Sequence, residues 1–150
     1  RLDKSSIDHL SSDDTLKALE SLKEGKDLVV FCYGGIVAEA IKLSEMLKPL
    51  KVGIFTVPIM SALNNNLLIE AVRDTSNVIS IEENSINGGL GTLLASTFLE
   101  NNISLNYFKS FGIPRNFSEV VGDQEYMRKH FSIDAQSIFD TIKNVLPKLN

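Results

Sequence analysis

Cysteine is nearly missing from this 150-residue chain. Cys32 stands alone and cannot form a disulfide within the chain, so a reducing compartment, the cytoplasm, is expected. Histidine occurs only at His9 and His130, and no His/Cys/carboxylate spacing has the pattern of a zinc site, so no metal is expected on the chain. No apolar run approaches the ~18 residues of a membrane-spanning helix, and the polar opening Leu2-Asp3-Lys4-Ser5-Ser6-Ile7-Asp8-His9 lacks the apolar core of a signal peptide. Runs of Lys or Arg are absent, and a formal net charge of −4 disfavours a nucleic-acid or anionic-membrane partner, which needs a basic face. With 9 Gly and 4 Pro the chain is not low-complexity, and no internal repeat is present. A methionine start is also lacking: Arg1 leads us to expect a piece of a longer protein.

What is present is a domain's worth of apolar sequence. The 43% hydrophobic content excludes a disordered chain, and this length buries roughly two-thirds of its unfolded surface without a staple. Ser11-Ser12-Asp13-Asp14 offers N-caps for a helix with Leu16, Leu19 and Leu22 on one face and Gly25 as its C′ glycine. Residues 1–24 thus read as a linker and leading helix, and 25–150 as the domain. Leu28–Tyr33 is a continuous apolar run, the mark of a strand buried on both faces. Further strands are expected at Lys51–Val57, Val78–Ile81 and Ser104–Phe111. Helices are expected at Ile36–Lys48, from the Asn64 cap to about Asp74, at Leu90–Glu100, near Asp123–Lys129, and from the Asp134 cap through Leu146. Strand and helix alternate, which requires crossover connections and yields a three-layer α/β/α sandwich around a mainly parallel sheet.

Two segments carry candidate chemistry. Gly34-Gly35 turns the first strand into a helix, and amides at such a start can hold a phosphate. Glycine is equally what a tight turn uses, and neither the dinucleotide nor the P-loop fingerprint is present. Glu82-Glu83-Asn84-Ser85-Ile86-Asn87-Gly88-Gly89-Leu90-Gly91 ends the third of these strands, where open α/β sheets take ligands. The acidic pair suits acid–base work, a cation, or the capping of helix amides. Neighbouring strand residues point to opposite faces, so Glu82 and Glu83 do not share one site. His130 reads as part of a solvated helix end, Cys32 as a core residue, and no nucleophile motif such as G-x-S-x-G occurs. No catalytic residue is assigned.

The segments Gly25–Phe31 with the Gly34 turn, Val78–Gly91, Phe111-Gly112-Ile113-Pro114 and Phe131–Ile138 together resemble the C-terminal domain of the transketolase family. The likeness spans nearly the whole chain, departing at Asn64-Asn65-Asn66, Arg115 and Glu119-Val120-Val121-Gly122. It implies a five-stranded, mostly parallel sheet with one antiparallel strand. It also implies a role in supporting a dimer of a thiamine-diphosphate enzyme that transfers two-carbon ketol units between sugar phosphates. The cofactor and its divalent cation would then be bound by other domains, with the preceding pyrimidine-binding domain or subunit as partner. The resemblance makes Glu82, Glu83, Asn84, Gly88, Gly89 and Gly91 candidates for an interdomain or intersubunit contact. Gly34 and Gly35 remain candidates for phosphate. A deoxyxylulose-phosphate synthase, a 2-oxo-acid dehydrogenase beta subunit, or a stand-alone module binding a phosphorylated metabolite or nucleotide are the alternative assignments.

Overall fold

In the computed structural model, which describes residues 17–114 and 120–145, five strands form one sheet in the order β1-β3-β2-β4-β5. These are β1 (Glu20–Lys23), β2 (Leu28–Tyr33), β3 (Val52–Thr56), β4 (Asn77–Ser85) and β5 (Tyr107–Ile113). β2 pairs in parallel with β3 and β4, and β4 with β5, while β1 alone runs antiparallel, against β3. The helices are α1 (Val37–Met46), α2 (Asn65–Val72), α3 (Leu90–Glu100), α4 (Gln124–His130) and α5 (Ala135–Ile142). Asn64, Asp123 and Asp134 cap α2, α4 and α5 through their side chains, accepting from Leu67, Tyr126 and Ser137.

Period-two alternation divides the apolar run of β2 between two cores. Leu28, Val30 and Cys32 face one layer, where Ile36, Ala40 and Leu43 of the α1 segment meet Ile138 and Ile142 of α5. Val29 and Phe31 face the other, against Leu68 and Val72 of α2 and Leu90, Leu94 and Phe98 of α3. The expected α/β/α sandwich is therefore present, and its β2 strand is buried on both sides.

One expected element is different. The leading helix through Leu19 and Leu22 is not formed in its described part: Glu20–Lys23 is the antiparallel edge strand β1, so the sheet begins upstream of Gly25. A spacing of three puts two leucines on one face of a helix but on opposite faces of a strand. Leu19 accordingly packs against the Phe31 core and Leu22 against the Val30 core. Gly25 is no helix C′ residue either; it crosses the backbone of Val52 and Gly53, where a Cβ would collide. The caps expected at 11–14, with Leu16, lie outside the described residues, as do His9, Arg115, Glu119 and Leu146. β4 runs four residues beyond Ile81, carrying Glu82 and Glu83 into the strand itself.

Candidate functional site at the carboxyl ends of β2 and β4

The chain leaves β2 toward β3 on one side and later returns to place β4 on the other, so the carboxyl ends of β2 and β4 flank the point where strand order reverses. Open α/β sheets take ligands at such a point. The residues there are Tyr33-Gly34-Gly35 and the acidic pair of β4, with Glu82 opposite Tyr33 in register.

Alternation along β4 sends Val78, Ser80 and Glu82 toward α2 and α3, and Ile79, Ile81 and Glu83 toward α1 and α5. The two carboxyl groups therefore never meet. Glu82 is fully buried and accepts hydrogen bonds from the amides of Leu90 (2.9 Å) and Gly91 (3.1 Å). Gly89, at the N-cap of α3, has no side chain to do this; a neighbouring strand supplies the missing acceptor, where a negative group also complements the helix dipole.

The glycines around Glu82 each have a local reason. Gly88 adopts φ +76°, open to glycine without strain. A Cβ on Gly89 would strike the Glu82 carboxyl group, and one on Gly91 would strike Ser110 and crowd Ser80, the small residues paired across β4 and β5. Beyond them the turn over 86–89 is tied down by its own polar groups. Ile86 donates to the Ile113 carbonyl (2.9 Å), and the Thr92 hydroxyl links Gly88 N to Ile86 O at 3.1 Å each. Asn84 is half-buried, while Ser85, Asn87 and Gly88 are exposed.

Glu83 faces the other layer and belongs to a charge cluster that sequence reasoning missed. Arg128 of α4, only 12% exposed, donates from Nε to Glu83 (2.7 Å) and from Nη2 to the Gly35 carbonyl (3.0 Å). Its Nη1 lies 3.7 Å from Glu39, a buried acid in the first turn of α1. Gln124, one turn before Arg128, donates to both Glu83 oxygens (3.1 and 3.2 Å). Glu39 further accepts from the amide of Ala135 at the start of α5 (2.9 Å) and pairs with Lys42 (2.8 Å). A usable signal did exist: an acid at 39 interrupts the apolar face formed by Ile36, Val37 and Ala40, and such an acid needs a cation nearby.

The remaining candidates are dispersed. Gly34 takes φ +81°, as a tight strand-to-helix turn requires, but the Gly35 carbonyl is bound by Arg128 and the acids Glu39 and Glu83 stand around it. His130 is exposed at the end of α4, stacked on Tyr126 at 6.3 Å between ring centroids. Cys32 is buried, and burial pushes its thiol up to about 12, with a hydrogen bond from Thr56 offsetting part of that rise. At the opposite end of the sheet, a cavity of about 760 Å³ opens between β1 and α2 over Leu19, Phe55 and Leu67. Its rim cations Lys26, Lys51 and Arg73 are balanced by Glu24, Glu70 and Asp74, and it contains none of the candidate residues.

The family model described as "Transketolase, C-terminal domain" matches residues 17–140. One of the subunits of the apulose-4-phosphate transketolase of Actinobacillus succinogenes is 33% identical over 147 residues, covering 93% of this chain and 46% of that protein. 1-Deoxy-D-xylulose-5-phosphate synthase of Syntrophotalea carbinolica is 28% identical over 129 residues, covering 85% of this chain and 20% of the synthase. The chain thus spans less than half the length of either relative. Among solved structures, a split-gene transketolase described as an inactive beta4 tetramer superposes with a TM-score of 0.82 at 23% identity, over 95% of this chain and 48% of that one. Leishmania mexicana transketolase does so with a TM-score of 0.62 at 17% identity, over 88% and 18%. The chain belongs to the transketolase C-terminal-domain family.

Proposed function

We propose that this chain is the C-terminal part of a transketolase-type enzyme that moves two-carbon ketol units between sugar phosphates, and that its role there is to support assembly. It has no turnover alone. The observation that carries this reading is the fate of the acidic pair: Glu82 is spent on the amides of α3 and Glu83 on Arg128 and Gln124 of α4, so the best-placed acids of the sheet are engaged within the chain. The likeness to a relative named as part of a transketolase supports the substrate class and a companion chain or domain. The likeness to deoxyxylulose-phosphate synthases keeps that branch as the alternative, ahead of the 2-oxo-acid dehydrogenase beta subunits.

Thiamine diphosphate and its divalent cation need a set of oxygen donors and a cradle for the diphosphate. The described residues do not fit. No three His, Cys, Asp or Glu side chains among them stand close enough to hold a metal ion, and Glu82 and Glu83 face apart. We assign the cofactor to other domains. A module binding a phosphorylated metabolite is the weaker reading: at Gly88-Gly89 the anion would have to displace the buried Glu82, and at Gly34-Gly35 it would meet Glu39 and Glu83.

The contact surface we assign is the outer rim of the 82–91 segment. Asn84, Ser85, Asn87 and Gly88 face outward, with Glu82, Glu83, Gly89 and Gly91 setting its shape from within. The partner is the pyrimidine-binding domain or a second copy in a homodimer. No described helix is long and apolar enough to cross a membrane, and the lone reduced cysteine suits a cytoplasmic enzyme. Asn84→Ala with Asn87→Arg changes this rim without touching the caps of α3. Sedimentation of the full enzyme should show its assembly weakened about tenfold or more, as expected when a charge is forced into an interface. Unchanged assembly and activity would remove the assignment.

A further inference from the structure

We infer that α4 is a strap, latched by Arg128 across the reversal point of the sheet, that can leave the domain without unfolding it. This inference goes beyond the proposed assembly role and does not depend on it.

Helix α4 is seven residues long, and none of them is buried. Tyr126 is 49% exposed, and Val121 just before the helix is 97% exposed. An element of this kind lacks the apolar face that ordinarily docks a helix. What it has is one face with Gln124 and Arg128 four residues apart, both donating to the carboxyl group of Glu83. Arg128 by itself reaches three separate pieces of the body: Glu83 at the end of β4, the Gly35 carbonyl after β2, and Glu39 in α1. At its C-terminal end the strap is anchored by Phe131, packed on the Val30 core, and by the Ile133 amide bonded to the Arg128 carbonyl (2.9 Å). Ser132 at φ +55° reverses the chain there, in a turn that the Ser132 amide also closes on the Lys129 carbonyl (3.1 Å), while α5 is packed separately through Ile138 and Ile142.

Glu39 keeps the Ala135 amide and Lys42 as partners when Arg128 departs. Of the groups that Arg128 leaves, Glu83 and the Gly35 carbonyl lie at the carboxyl end of the sheet, where water can take its place. Release bares these two groups beside the Gly34 turn, the place where strand order reverses.

Hydrogen exchange on the 150-residue chain tests this. In Arg128→Met, which keeps most of the length of the side chain and removes its charge and donors, amides of 124–130 should exchange about tenfold to a hundredfold faster. Amides of β2 and β4 should keep wild-type rates within about twofold. Glu83→Gln, which retains a carbonyl acceptor for Gln124, should give a smaller rise in the same amides, and Arg128→Lys should fall between wild type and Met. Unchanged exchange in 124–130 would mean that packing holds the helix. A rise shared equally by β2, β4 and α5 would mean that Arg128 belongs to the global core. Either result overturns the latch.

Discussion

At the scale of single residues, chemistry that looks available is mostly consumed. Cys32 lies in the middle of β2, fully buried, with its Sγ 3.4 Å from the Phe55 carbonyl. Burial raises its thiol from the ordinary 9.0 to about 12, so the folded chain holds that proton where the unfolded chain has lost it. Between pH 9 and 12 the folded state binds more protons, so this residue's contribution is complete below pH 9 and declines as pH rises, at up to about 1.4 kcal/mol per pH unit. Urea midpoints of wild type and Cys32→Ala should therefore converge across that interval, and the wild-type thiol should resist an aromatic disulfide reagent at pH 8 until urea is added. Parallel pH dependence in the two proteins would show that the thiol is not shielded. That Cys32 is a core residue was legible from its place in an apolar run. That Arg128 is a hub was not, because Met127-Arg128-Lys129-His130 has the composition of any solvated helix end and its partners lie some 45 to 93 positions away.

At the scale of elements, the glycine-rich start of α3 is one device. Helix N-termini leave amides without partners, and here the acceptor comes from the preceding strand. Gly89 makes room for that carboxyl group, and Gly91 lets the helix lie against Ser80 and Ser110. Glu82→Ala should cost about 2–4 kcal/mol in urea denaturation, from two buried amides left unpaired and a small void. Glu82→Gln, which keeps one acceptor, should recover part of it. A loss under about 0.5 kcal/mol for the Ala variant would show that water replaces the cap. The motif's position and the opposite directions of its acids were legible in sequence, since strand parity alone decides them. β1 was not: Leu19 just before it and Leu22 within it satisfy a helical period and an edge strand serving two cores equally well, and only pairing with β3 separates the two. The boundaries of α1, α2 and α5 fell within a few residues because Asn64, Asp134 and Pro49 are local signals.

At the scale of the whole molecule, the layers decide where the acids of the sheet go. Two cores share one sheet, α1 with α5 on one face and α2 with α3 on the other, and at the carboxyl ends of β2 and β4 the Gly35 carbonyl, Glu82 and Glu83 are engaged by α3 and α4. Alternating strands and helices made this architecture readable in advance. The antiparallel edge strand, by contrast, came only from resemblance to the family. We propose that the domain supports a thiamine-diphosphate enzyme without holding its cofactor. Calorimetric titration of the 150-residue chain with thiamine diphosphate and magnesium tests it most directly, followed by the same titration after the pyrimidine-binding domain or subunit has been supplied. No binding heat is expected from the chain alone, and binding only in the assembled protein; saturable binding by the isolated chain, with one site per molecule, would overturn this role.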